Sequence, residues 1–269
     1  TYHLGYILGP RINAGGRVGK CSHGANLLLD KDPKNSFKLA SELDQFNKER
    51  QLLEKDLLQS ILNKTKVHLD DPVLILSGSN WHEGIIGIVA ARLKDKFNKP
   101  VIIISLDGDI GKASARSIVG FDIGSVIIAA TQENILLKGG GHKMAGGFSI
   151  KVENIEKLKD FVFRKFKNIN VDLVAERPLL LDSIISPSAV NLEFFKKVAI
   201  LSPFGSGNPE PKFIIEDVKT INGKIVGEKH VKSVLIGGDG AIIKCISFNA
   251  IENNIGSYLL KKNDRLFNI

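Results

Sequence analysis

Leu39, Leu43, Phe46, Leu53, Leu57 and Ile61 recur at steps of three, four or seven along an otherwise polar stretch. That is the apolar stripe of one long amphipathic helix, ending near Thr65. Residues 1–29 show no such period, and the Gly and Pro that punctuate them predict loop rather than helix. Beyond the long helix the period shortens. The β-branched runs at 72–77 and 100–105 predict strands, and residues 84–97 between them a helix, together a strand, helix, strand unit of a partly parallel sheet. Residues 112–118 begin another strand and 123–131 read as helix. A glycine-rich loop at 138–147 leads to a strand at 148–152, and 155–166 closes the domain as a helix. After Asn170 the pattern changes to short strand candidates at 179–181, 213–218, 224–226, 233–236 and 242–249. Turns at Asn222-Gly223 and 237–240 separate them. The expected architecture is an α/β domain preceded by a long connecting helix and followed by a small β-barrel. Residues 265–269 are strand-like where the sequence stops, so the barrel is expected to lack its last strands.

The 269 residues are 43% hydrophobic, enough for one large or two ordinary domains with real cores. Charge refines this picture. Lys and Arg number 37 against 29 Asp and Glu, a net +8, and the excess is uneven: residues 1–170 carry +7 and residues 171–269 carry +1. An anionic partner is therefore expected mainly at the first part. Cys21 and Cys245 match no disulfide framework or metal spacing, which fits a reducing cytoplasm. The apolar runs are far too short to span a membrane, so no membrane partner is expected. Thr1 is not an initiator methionine, and the opening reads as the middle of a longer polypeptide.

Three stretches carry candidate chemistry. In 138–147, five glycines and His142 follow an apolar segment. Glycine backbones can converge their N–H groups on an anion, and the imidazole can donate to the same phosphate or move a proton. The plain alternative is a glycine-rich turn with a surface histidine. In 113–117, strand alternation puts Ser114 and Arg116 on one face, either a guanidinium with a hydroxyl suited to a terminal phosphate or simply an exposed strand arginine. In 9–17, Arg11, Asn13 and Arg17 lie on a glycine-rich basic stretch. Trp81-His82-Glu83-Gly84 precedes a helix. A zinc-protease reading fails because position 86 is Ile, which leaves His82 either capping the helix or lining a substrate wall. No paired carboxylates, Ser-His-Asp set or metal cluster stands out.

Taken in order, GPRINAGGR at 9–17, WHEGIIGIVAARL at 81–93, SARS at 114–117, KGGGHKMAGG at 138–147 and PFGSGNPEP at 203–211 resemble the RecJ family of bacterial nucleases, within the DHH phosphoesterases. The resemblance implies residues 1–33 as the tail of a catalytic DHH domain and 34–65 as the connecting helix. It implies a DHH-associated substrate-binding domain at 66–170 and an incomplete oligonucleotide-binding (OB) fold at 171–269. By the same resemblance the complete protein is a 5′-to-3′ single-stranded-DNA exonuclease of repair and recombination, using manganese or magnesium held by a DHH domain. No Asp-His-His and no matching Asp-x-Asp precede residue 9, and Asp107-Gly108-Asp109 lies in the wrong domain, so this chain is expected to bind no metal and to be inactive alone. The resemblance assigns His142 to catalysis, and Arg11, Asn13, Arg17, His82, Ser114, Arg116, Gly139, Gly140 and Gly141 to the strand and its 5′ end. Two alternatives stay open: a DHH-family phosphodiesterase for short oligonucleotides or cyclic dinucleotides, and a non-catalytic nucleic-acid-binding module.

Overall fold

The computed structural model describes residues 3–65, 70–167, 179–205, 207–252 and 254–261. The chain divides into two compact units, residues 2–175 and 176–269.

In the first unit, the stripe at 39–61 forms the long helix α3 (Pro33–Thr65). The strand, helix, strand unit is also present as expected. β1 (Leu74–Ser79), α4 (Glu83–Phe97) and β2 (Val101–Asp107) follow in order, and β1 pairs parallel to β2. Next come β3 (Ile110–Arg116), α5 (Ile123–Gln132), β4 (Lys138–His142), β5 (Ala145–Lys151) and α6 (Ile155–Lys167). The sheet order is β1-β2-β3-β5-β4, with every pair after the first antiparallel. Helices cover both faces, which is why the first five residues of β2 are all buried. On one face Leu74, Leu76, Val101 and Ile103 meet Ile85, Val89 and Leu93 of α4 and Leu57 and Ile61 of α3. On the other, Ile102, Ile104, Ala115, Phe148 and Ile150 pack with Ile127 of α5 and Phe161 of α6. α4 packs over β2 and β3, and beyond them the same face is open at Lys138, Gly140 and Gly147.

Two expectations for this unit are corrected. Residues 3–29 are largely helical and not loop: a π-helical turn (His3–Leu8) leads into α1 (Gly9–Val18), and α2 (His23–Leu29) follows. Pro10 sits in the first turn of α1, where its missing N–H costs nothing, and Ala14 and Gly15 are buried. A Cβ on Gly15 would lie 3.1 Å from Leu43 of α3, so tertiary packing overrides the helix-breaking composition. The glycine-rich stretch is likewise not a loop but a β-hairpin, turning at Lys143-Met144. None of its glycines has a positive φ. What glycine supplies there is close approach: a Cβ on Gly139 would lie 2.7 Å from Ile127 of α5, and one on Gly146 would run into the same side chain.

The second unit holds a parallel pair, β6 (Ser183–Ile185) with β7 (Phe213–Ile215), flanking α7 (Leu192–Ala199) in sequence. An antiparallel meander follows: β8 (Val218–Val226), β9 (His230–Gly237) and β10 (Ile242–Ser247), then α8 (Asn254–Leu260). The strand expected at 179–181 falls instead at Ser183–Ile185, and the one expected at 213–218 is broken at Asp217, which takes a φ of 55°. Asn222-Gly223 is no turn. Both residues lie inside β8 beside a bulge at Thr220/Asn222, and the turn comes at Gly227 and Glu228, both with positive φ. The turn at 237–240 is present. Val218, Val231, Leu235, Ile243, Ala250 and Leu259 form the core. Among the described residues the strands make one three-stranded and one two-stranded sheet, not a closed barrel. Residues 265–269 lie outside the described residues.

Candidate nucleic-acid interface

Register sets the site. Arg116 on β3 pairs with Ala145 on β5, which pairs with His142 on β4. Directly paired residues present their side chains to the same face, so Arg116 and His142 share one face of the sheet. The next rung on that face is Ser114, Gly147 and Gly140, and the one after it is Lys112, Ser149 and Lys138. Gly139 and Gly141 fall on the opposite face by alternation, with the Cβ direction of Gly139 toward α5. A concavity of about 600 Å³ lies over these rungs, lined by Lys112, Ser114, Lys138, Gly139, Gly140, Gly147 and Ser149, with Glu83 and Ile86 of α4 along one side.

Arg116 is half-buried. Its Nη1 donates to Ser114 Oγ at 3.1 Å and to the Ala115 carbonyl at 2.8 Å. Burial first, then the neighbouring charge of Arg17, push its guanidinium below its ordinary value, though an arginine so placed remains protonated at neutral pH. Among the described residues no carboxylate pairs with Arg116. Arg17 reaches this place through α1: its Nη1 points at the Gly84 carbonyl at 3.4 Å, and a Cβ on Gly84 would run into the Arg17 carbonyl. Gly84 thus lets the end of α1 rest on the start of α4. Gly87 does the same for β3, since a Cβ there would lie 3.0 Å from both Arg116 Nη2 and Ser114 Oγ.

The remaining candidates separate. Arg11 turns away to α3, its Nε 2.8 Å from Asp44 Oδ1 and its Nη1 2.8 Å from the Ile7 carbonyl. Asn13 is exposed on α1, four residues before Arg17 and so on the same side of the helix. His82 is the N-cap of α4, its Nδ1 accepting from the Gly84 N–H at 3.1 Å. It lines a separate concavity with Asn80, Trp81, Ser105 and Asp107, where Ser105 Oγ donates to the Trp81 carbonyl at 2.5 Å. Lys112, Lys138 and Ser149 were missed by the motif reading. Lys112 was legible by alternation from Ser114; Lys138 needed the hairpin register.

Among the described residues no three His, Cys, Asp or Glu side chains gather into a metal-holding group, and none of the helices is long and apolar enough to cross a membrane. Cys21 and Cys245 are free. In the second unit, Phe213 meets Phe194 edge-on at 5.0 Å, and both line an apolar groove of about 430 Å³ with Phe204. The outer face of the meander is different. Register aligns Lys219 with Ile236 and Ile242, Asn222 with Val234 and Lys244, and Lys224 with Lys232 and Ile246. Four lysines thus share one sheet face with aliphatic side chains, and none of the four is ion-paired among the described residues.

A DHHA1 domain matches residues 70–168 and a RecJ OB domain matches residues 181–267. The pairing defines the class: an α/β DHH-associated domain followed by an OB-fold domain. Over 91% of its length the chain is homologous to RecJ single-stranded-DNA-specific exonucleases. It is 30% identical over 255 residues to the single-stranded-DNA-specific exonuclease RecJ of Bacillus subtilis, covering 91% of this chain and 32% of that protein. It is 33% identical over 261 residues to the RecJ of Haemophilus influenzae, covering 91% of this chain and 44% of that protein. A crystal structure of RecJ in complex with Mg2+ from Thermus thermophilus superposes with a TM-score of 0.76 at 25% identity, over 91% of this chain and 42% of that one. The chain thus spans between a third and a half of the length of these relatives.

Proposed function

We infer that this chain is the strand-gripping portion of a RecJ-type 5′-to-3′ single-stranded-DNA exonuclease of DNA repair and recombination, with the hydrolytic metals, manganese or magnesium, held by a DHH domain beyond residues 1–269. In this reading residues 1–33 end that domain, 34–65 connect it, 66–170 hold the strand end and 171–269 track the strand. The observation that supports it is the unneutralised pair of Arg17, at the end of α1, and half-buried Arg116, with Ser114 alongside, at the sheet face that also carries His142. Two guanidiniums without a carboxylate match a terminal phosphate monoester of charge near −2. His142, on the same rung two strands across, then meets the next phosphate, where a donor stabilises charge as it develops. Gly140 leaves the hairpin backbone open to approach on that face, while Gly139 and Gly141 have their Cβ directions on the opposite face. Asn13 and His82 shape the surroundings, His82 by fixing the start of α4. Arg17 rather than Arg11 is the second arginine, because Arg11 is committed to Asp44.

The lysine face of the meander serves the OB half. Four cations interleaved with aliphatics suit an extended single strand, whose phosphates and bases alternate in the same way. Phe204 and Phe213 line the apolar groove instead. In this reading the partner is single-stranded DNA, met in the cytoplasm and not at a membrane.

The test has two arms. The chain alone, given manganese and 5′-phosphorylated single strands, releases no nucleotide beyond a His142→Ala control; turnover above that control would sink the division between gripping and hydrolytic parts. In a full-length relative carrying this portion, Arg116→Ala weakens the preference for a 5′-phosphorylated end, mainly through KM, while His142→Ala mainly lowers kcat. Equal effects of both on KM and kcat would remove the assigned roles.

A further inference from the structure

The concavity beside Arg116 has a second cationic rung that the terminal-phosphate site does not employ. Lys112 and Lys138 stand on β3 and β4, on either side of Ser149 on β5, and all three line the same 600 Å³ space as Ser114 and Gly140. Lys112 is held by Glu83, whose two carboxylate oxygens lie 2.7 and 2.8 Å from its Nζ. Lys138 has no ion-pair partner among the described residues. Between this rung and the Arg116 rung lie Ser114, Gly147 and Gly140. A Cβ on Gly140 would meet nothing within 4 Å, so the floor there is free space and not a packed surface.

The two rungs differ in charge. Arg116 with Arg17 offers two positive charges and no negative one. Lys112 and Lys138, with Glu83 subtracted, offer one. A terminal phosphate monoester carries nearly two negative charges at neutral pH, and an internal phosphodiester carries one. The spacing also suits two groups on one chain: Arg116 and Lys112 are four residues apart on β3, about 14 Å at a strand rise of about 3.4 Å per residue.

We propose that the groove bounded by Glu83–Lys112 and Lys138 is a second phosphate subsite, which takes an internal phosphodiester of the strand whose 5′ end is held at Arg116 and Arg17. The strand crosses the glycine floor between the two rungs, Lys138 and Ser149 donate to a non-bridging oxygen of the diester, and Glu83 keeps Lys112 turned into the groove. This rests on the terminal-phosphate reading given above and adds where the strand goes next.

The measurement is binding of 5′-phosphorylated oligothymidylates to the whole 269-residue chain, with each internal linkage replaced in turn by an uncharged methylphosphonate. Lys138→Gln is expected to weaken binding of the unmodified strand roughly five-fold and to flatten the log–log salt slope by about 0.7. One methylphosphonate position is expected to weaken the parent chain to the same extent and to weaken Lys138→Gln no further. Gly140→Val, for which the structure has room, should reproduce the loss by filling the floor. Lys157→Gln, on α6 across the sheet, should change nothing. Additive losses at every linkage, or an unchanged salt slope in Lys138→Gln, would overturn the subsite. The 5′ phosphate is removed separately. If its loss costs no affinity while the Lys138 coupling persists, the terminal-phosphate reading falls and the diester subsite stands. If 5′-phosphate dependence is intact and Lys138 is uncoupled, the reverse holds. A parent chain that binds none of the strands overturns both.

Discussion

Arg116 carries a positive charge that its surroundings raise in energy instead of neutralising, since burial and Arg17 both act against it. Such a residue gains from an anion. Arg116→Ala should therefore cost binding of a 5′-phosphorylated strand about 1.5–3 kcal/mol, the value of a charge-assisted hydrogen bond, and narrow the difference in affinity between 5′-phosphate and 5′-hydroxyl strands in a titration. Arg11→Ala should behave otherwise. Its partner Asp44 and its own side chain are about one-third exposed, so losing the pair should lower stability only slightly in denaturant melts and leave the 5′-phosphate preference intact. The carboxylates give a pH dependence. Hydrogen bonds from Lys48, then Arg11, hold Asp44 below the usual range. The Ser125 N–H does the same for Asp122 at the start of α5, and the Ala241 N–H for Asp239. A depressed folded value means a contribution fully present above the unfolded value of about 3.9 and lost as pH falls through the folded ones. Melting temperature should hold from pH 7 to about 4 and fall below that. Asp122→Asn, which keeps a capping side chain, should soften the fall; an identical acid limb in that variant would show that Asp122 contributes nothing to it.

At the level of elements, the glycine hairpin is held against α5 at backbone distance. A Cβ on Gly124 would lie 2.9 Å from the N, C and O atoms of His142, and the Ile123 N–H donates to the Lys143 carbonyl at 3.2 Å. Gly124→Ala should consequently destabilise the first unit despite alanine's better helix propensity. Overpacking of about 1–3 kcal/mol outweighs a gain of about 1 kcal/mol, and His142 should be displaced, read as a changed imidazole resonance. Gly140→Ala, with open space around its Cβ, should leave stability within about 0.5 kcal/mol of the parent. These two glycines look alike in the sequence. Only the neighbour of each backbone separates them, which is also why the residues by themselves predict a loop where the structure has a hairpin. Helices α3 and α4 and strands β1 and β2 were legible because each repeats one period over a long enough stretch. α1 was not, since its burial depends on Leu43 more than twenty residues away.

For the whole molecule, net charge was a poor guide to where an anionic strand can be held. The last hundred residues carry only +1, yet Lys219, Lys224, Lys232 and Lys244 gather on one face of the meander. Replacing all four by Gln should flatten the log–log salt slope of single-strand binding by roughly 2, at about 0.7 per phosphate contact for three contacts, and Arg17→Ala with Arg116→Ala by about 1.4. An unchanged slope in the quadruple variant would confine the electrostatic contribution to the first unit. The sequence by itself determined the long helix, the strand, helix, strand unit, the pairing of Ser114 with Arg116, and the family, because each is written in local periodicity or contiguous motifs. Tertiary structure alone decided that Arg17 and not Arg11 stands beside Arg116, that His142 shares a face with them, and that Lys112 and Lys138 flank a glycine floor. Those facts depend on which strand lies next to which and in what register, and pairing between strands far apart in the chain leaves no local trace in the sequence.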